Sequence, residues 1–168
     1  MKNKFIIIGL ALGILSSCSK YESDSLYQEE LNGVNQETTL FSSDKHSVIE
    51  NELFTLVNDY RISIGLNALE FDSVTYYYAG EHTNYMISKG VMSHDNFNER
   101  ASKIANRTGA EIVAENVARN YETMQEILDG WLSSPSHKKN LEGNYDYSAI
   151  NIKPDANGNL YVTHMFFK

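Results

Sequence analysis

The sequence predicts an α+β domain in which helices pack on a small antiparallel sheet. Three observations carry that prediction. Capping signatures precede helical apolar stripes over much of the span from residue 47 to residue 141. The pattern then changes to strand chemistry near Tyr147. The chain closes on a hairpin whose turn contains Asn157-Gly158. Helices followed by a terminal hairpin segregate into a helical layer on an antiparallel sheet.

Each element has a local reason. Ser47-x-x-Glu50 is a capping box, and Ile49, Leu53, Leu56, Val57, Tyr60 and Ile64 follow at helical spacing until Gly65 stops the helix. A second helix is expected over Ser73–Lys89, with Asp72 as N-cap, Gly90 as C-cap and a stripe of Tyr78, His82, Tyr85 and Met86. A third spans about Asn96 to Asn106 and ends before Gly109. Thr123-x-x-Glu126 caps a fourth, with Met124, Ile127, Leu128, Trp131 and Leu132 on one face. Ser134-Pro135 reads as an N-cap and first helical residue of a short helix that carries His137. Strands are expected at Tyr147–Lys153 and Leu160–Phe167, with a further short strand at Ala110–Val113. The Asp155-x-Asn157-Gly158-Asn159 segment lacks the distal glutamate of a calcium loop and reads as the hairpin turn.

The N-terminus gives an address. Met1-Lys2-Asn3-Lys4 is basic, and Phe5–Leu15 is nearly all apolar but too short for the roughly 20 residues that cross a bilayer. Leu15-Ser16-Ser17-Cys18 resembles a lipobox, and Cys18 is the chain's single cysteine. Residues 1–17 are therefore read as a lipoprotein signal peptide and Cys18 as the acylated first residue of the mature protein. Residues 18–44, polar, acidic and without apolar periodicity, are read as the lipidated cysteine and a disordered tether that would reach roughly 85 Å if extended. The domain itself is expected over residues 45–168. One cysteine permits no intramolecular disulfide, so the core alone must hold this domain.

Charge narrows the partners. The chain carries a net charge of −8, and loss of Lys2 and Lys4 with the signal peptide takes it to about −10. With no basic block it is a poor nucleic-acid binder, and membrane attachment should rest on the acyl chains alone. The expected state is a monomeric domain.

Three polar motifs stand out: Ser93-His94, Ala114-Glu115-Asn116-Val117-Ala118, and Trp131 to His137. His94, Glu115 and His137 together would form a two-histidine, one-carboxylate cluster, the ligand count of an open zinc site and also a plausible acid/base set. A carboxylate in the small, apolar setting of Glu115 needs a partner, expected to be a histidine or backbone donors, or else it organises a loop at Asn116. His82 reads as a hydrogen-bonded core histidine and His46 as the solvated start of the first helix.

These motifs also occur in a recognisable order. Val57-Asn58-x-x-Arg61-x-x-x-Gly65-Leu66, Met86-x-x-x-Gly90-x-x-Ser93-His94, Glu115-Asn116-Val117-Ala118, Trp131-x-x-Ser134-Pro135-x-His137-x-x-Asn140 and the strand Tyr161–Phe166 follow one another. The chain resembles a bacterial, disulfide-free member of the CAP superfamily (cysteine-rich secretory proteins, antigen 5 and pathogenesis-related proteins) over about Ser47 to Phe167. The resemblance implies a three-layer α-β-α sandwich with a cleft on one face lined by His94, Glu115, Asn116, His137 and Tyr161. In disulfide-containing relatives the last strand starts with the second site histidine, where this chain has Tyr161, and a second glutamate stands at the position of Ser134. His137 then resembles the bacterial substitute, His164 takes the place of a usual glutamine, and Tyr161 or a water would complete a metal shell. Zn²⁺ or another divalent cation is the implied cofactor, on His94, Glu115 and His137.

The functional expectation is an envelope-anchored binding module whose cleft takes a divalent cation or a small ligand such as a peptide, glycan or lipid, or an envelope component. A hydrolase using His94, Glu115 and His137 is the first alternative, and a structural or adhesion domain the second. No Gly-x-Ser-x-Gly or His-Glu-x-x-His motif is present. The expected location is the outer membrane, with surface exposure suggested by Glu22, Asp24, Glu29 and Glu30 close behind Cys18, which resemble the surface-export signals of Bacteroidota lipoproteins.

Overall fold

A computed structural model describes residues 46–168. The signal-peptide, lipidation and tether expectations fall on residues outside that range. The elements are α1 (Val48–Ser63), β1 (Glu70–Phe71), α2 (Ser73–Lys89), α3 (Phe97–Thr108), β2 (Val113–Arg119), α4 (Met124–Ser133), α5 (Pro135–Leu141), β3 (Tyr147–Pro154) and β4 (Leu160–Phe167). The strands form one sheet in the order β1-β3-β4-β2. β4 pairs antiparallel with both β3 and β2, while β1 adds a parallel edge to β3. The fold is thus the expected α+β sandwich with a C-terminal hairpin, and the two-residue β1 makes its sheet mixed.

The sheet is covered on both faces, which explains why β4 is apolar almost throughout. Even-numbered β4 residues Val162 and Phe166 join Ile150 and Ile152 of β3 against Leu53 and Val57 of α1, Trp131 of α4 and Leu141 of α5. Odd-numbered Met165 and Phe167 meet Tyr78 and Ala79 of α2 and Ile104 of α3. The expected caps are present: Ser47 and Glu50 close a capping box on α1, Asp72 Oδ1 accepts from Thr75 N–H at 2.7 Å, and Gly90 adopts a left-handed φ of +67°. Asp155 Oδ1 accepts from the N–H groups of Asn157 (2.8 Å) and Asn159 (2.9 Å), closing the β3–β4 turn.

Three expectations change. The strand placed at Ala110–Val113 lies instead at Val113–Arg119, so Glu115 and Asn116 sit within a strand and not in a loop. Its small and polar residues have weak strand propensity. The strand exists because β4 offers a full antiparallel ladder, with Glu115 opposite Met165 and Asn116 opposite His164. β1 was not expected, being two residues long. Asn58 holds it by a reciprocal side-chain pair with Leu69, N–H to Oδ1 at 2.8 Å and Nδ2 to C=O at 3.1 Å. His46, expected in solvent, is buried against Phe54 and Phe71, and its Nε2 accepts from the Ile150 N–H at 2.8 Å.

Arg61 ties the helical layer to the far end of the chain. Fully buried at the end of α1, it donates to the carbonyls of Asn67, Leu141, Gly143 and Tyr145 at 3.0, 2.7, 2.9 and 3.4 Å. These bonds fix the segment after α5, and so the helix that carries His137.

Candidate functional site

Glu115 is the centre of the site. Its side chain is only 1 % exposed, and an unpaired carboxylate there would be strongly unfavourable. Arg100, on the first turn of α3, donates to Oε2 from both Nε (3.0 Å) and Nη2 (2.8 Å), and its Nη1 donates to the Asp95 carbonyl at 2.7 Å. Oε1 accepts from His94 Nδ1–H at 2.8 Å. His82 Nε2 stands 3.7 Å from the same oxygen but donates to the Ser93 carbonyl at 2.7 Å, which pins the loop that carries His94.

This arrangement sets the tautomer of His94. A carboxylate only accepts, so Nδ1 carries a proton, and in the neutral ring Nε2 is then the nitrogen with the lone pair. The side chain is 52 % exposed. His137, on α5, lies with its ring centre 6.4 Å from that of His94. Burial first, and the neighbouring His94 second, push the His137 pKa below its ordinary value. Asn140 and Asn116 place it: Asn140 Nδ2 donates to the Glu115 carbonyl (3.0 Å) and to Asn116 Oδ1 (2.9 Å), and Asn116 Nδ2 donates to the His137 carbonyl (3.1 Å). Trp131 Nε1–H donates to the Val117 carbonyl at 3.0 Å, further along the free edge of β2. A cavity of about 280 Å³ runs along that edge, lined by His94, Phe97, Val113, Ala114, Glu115 and Asn140.

A sandwich whose outer strand carries Glu-Asn, flanked by a histidine loop and a histidine helix, matches a known pattern. The sequence profile of the Cysteine-rich secretory protein family (CAP) covers residues 54–166. The chain belongs to this family. An "Uncharacterized membrane protein YlbC" of Bacillus subtilis is 30% identical over 122 residues, which cover 71% of this chain and 34% of that protein. The chain therefore spans about a third of that relative's length. Among solved structures, an outer surface protein of Borrelia burgdorferi superposes with a TM-score of 0.64 at 21% identity, covering 70% of this chain and 90% of that one. An extracellular SCP-domain protein of Bacillus anthracis gives 0.61 at 24% identity, covering 71% of this chain and 40% of the other. At these identities the structural matches establish the shared fold.

Within this CAP domain, His94, Glu115, Asn116 and His137 gather at one place, but in different roles from those expected of a metal triad. Both Glu115 oxygens are engaged, by a guanidinium and by an imidazole N–H, so in this arrangement Glu115 orients His94. Among the described residues no three His, Cys, Asp or Glu side chains are spaced to hold a metal ion. The donors left are the two imidazoles. Tyr161 does not join them. It is fully buried against Met86 and Val117 with the Arg119 guanidinium 4.6 Å from its ring centre. It stands four residues along β4 from Met165, the partner of Glu115, which is about 13 Å at strand spacing. His164 is also buried, its Nε2 3.1 Å from the Ser148 hydroxyl and its ring against Phe166. His82 is the expected hydrogen-bonded core histidine, and it lies beside Glu115.

Arg100 was missed. In sequence it is one of several charged residues on an amphipathic helix. The demand of Glu115 for a buried cation was its only trace.

Proposed function

We propose that the protein is an extracytoplasmic, envelope-anchored binding module whose β2-edge cleft takes a divalent cation or a small polar ligand through His94 Nε2 and His137. The observation that supports this is the Arg100–Glu115–His94 chain. A carboxylate that accepts the Nδ1–H of a histidine raises the basicity of the other nitrogen and fixes its direction, as in the outer coordination of metal-bound imidazoles. Two imidazoles could hold Zn²⁺ with positions open to solvent or ligand. The location draws support from the relatives, described as an outer surface protein, an extracellular protein and a membrane protein. Among the described residues no helix is long and apolar enough to cross a membrane.

Titration of the whole chain with Zn²⁺ tests the cleft. Weak binding is expected in wild type and its loss in His94→Ala and His137→Ala. Affinity should fall as the pH drops and protons compete for the imidazoles, His137 taking its proton only below the ordinary value of about 6.5 because burial lowers its pKa. Equal binding by all three proteins would sink the cation reading. The anchor is tested separately: Cys18→Ala should move the protein from the membrane to the soluble fraction, and equal recovery in membranes would count against acylation.

A further inference from the structure

β2 is the last strand of the sheet, so every second residue turns its backbone outward. Ile112 and Lys168 exchange both backbone hydrogen bonds, at 3.3 and 3.0 Å, and the Asn120 N–H donates to the Leu160 carbonyl at 3.1 Å. Ala114, Asn116 and Ala118 therefore pair with β4, while Val113, Glu115 and Val117 point their backbone groups away from it. Donors from outside the sheet keep the same phase: Asn140 Nδ2 caps the Glu115 carbonyl and Trp131 Nε1–H the Val117 carbonyl.

This capping of carbonyls stops at Glu115. The Glu115 N–H and both backbone groups of Val113 have no hydrogen-bond partner among the described residues. They open on the cavity of about 280 Å³, in which Val113, Ala114 and Glu115 follow one another. Phe97 enters it from α3, on the Met165 face of the sheet, and Asn140 from α5, on the Phe166 face. The cavity thus lies over the strand edge itself. Unpaired backbone groups on an edge strand are a template for a further strand. The opposite edge shows how this chain fills one that takes no strand, with His46 and Glu50 on the Ile150 and Ile152 N–H groups.

The chemistry of the edge defines the occupant. A row of backbone N–H, C=O and N–H groups is complemented by a peptide backbone. From Val113 to Glu115 the strand rises about 7 Å, the length over which about three residues pair. The Glu115 charge is met by Arg100, and no other acid and no lysine or arginine lines the cavity. Nothing there holds a charged terminus, so the occupant is an internal stretch of chain. Phe97, Val113 and Ala114 favour small apolar side chains on it. A second copy of this chain would bring its own α3 and α5 against these walls, so the added strand comes from a segment free of a sheet. Resting on the reading of this cleft as a ligand site, we propose that β2 binds an extended, uncharged, internal peptide segment as an added strand over residues 113–115.

The capped peptide acetyl-Ser-Val-Ser-Val-Ser-amide, added to the whole chain in detergent, tests this. In ¹H–¹⁵N spectra the Val113 and Glu115 amide protons should move downfield, and the Ala114 amide, already paired with β4, should move less. The same peptide methylated on every amide nitrogen should bind at least about tenfold more weakly, through loss of its backbone donors. Zn²⁺ added alone reads the cleft separately. A chain that binds Zn²⁺ while the peptide leaves the Val113 and Glu115 amides unmoved keeps the ligand-site reading and loses this one. Equal binding of the methylated peptide overturns it as well. So does a dimer in sedimentation that protects those two amides from exchange without peptide, which would give the edge to a second copy.

Discussion

The two edges of the sheet use the same chemistry for opposite ends. At the β3 edge, where β1 stops after two residues, His46 and Glu50 take over as a side-chain strand. His46 Nε2 accepts from Ile150 N–H, and Glu50 Oε1 accepts from Ile152 N–H at 2.8 Å and from Asn151 Nδ2 at 3.1 Å. Glu50 Oε2 accepts from Ser47 N–H at 2.8 Å and from the Tyr76 hydroxyl at 3.0 Å. At the β2 edge, Glu115 and His94 again form a carboxylate–imidazole set, but Glu115 is neutralised by Arg100 and His94 stands half in solvent. One edge is sealed against pairing with another chain. The other keeps a histidine nitrogen available. The difference lies in what covers the imidazole: aromatic rings from α1, β1 and α2 in the first case, an open cleft in the second.

The largest effect should come from removing the cation at the open edge. Arg100→Ala strands a buried carboxylate, and about 3–5 kcal/mol of stability should be lost in chemical denaturation. Replacing Glu115 by Gln in the same chain should restore part of it, since the charge has gone. If Arg100→Ala is as stable as wild type, Glu115 is reached by water and is not a closed anchor for His94.

A smaller loss is expected at the sealed edge. His46→Ala leaves the Ile150 N–H unpaired and opens a gap among the aromatic rings, for about 1–3 kcal/mol from the hydrogen bond alone. This residue also gives the comparison a pH signature. Burial lowers the His46 pKa to about 4, against the opposing field of Glu50. The folded state therefore stays unprotonated where the unfolded chain takes up a proton. The stabilisation is fully present above about 6.5 and is lost as the pH falls through about 4. His82, His137 and His164 shift in the same direction, so His46→Phe should flatten this dependence only in part. Denaturant midpoints at pH 7, 5.5 and 4 would show it, and identical pH curves for the two proteins would remove His46 from the account.

The smallest change in stability belongs to the open histidine. His94→Ala should alter stability by less than about 1 kcal/mol, because its ring is half exposed and Glu115 keeps Arg100. A melting temperature well below wild type would mean that His94, like His46, is a structural clasp.

Much of this was legible in the chain. Capping boxes at Ser47 and Thr123, the Asp72 start and Gly90 stop of α2 and the Asn157-Gly158 turn are local signals, settled within a few residues, and the helices appear where they point. The motif order brought His94, Glu115 and His137 to one edge, although they lie 21 and 22 residues apart in turn. Local pattern did not place β2, whose ladder depends on a partner some 50 residues away. Nor did it separate His46 from His94, or find Arg100, because burial is a property of what packs on a residue from elsewhere.

Composition and periodicity by themselves determined the fold class, the helix ends, the absence of internal disulfides and the set of polar residues available for a site. Tertiary structure alone decided their roles. It paired Glu115 with Arg100 beside His94, sent Tyr161 into the core and made His46 an edge cap. The physical reason is that propensity acts over one or two turns of chain, whereas desolvation, ion pairing and the availability of a lone pair depend on which surfaces the fold brings into contact.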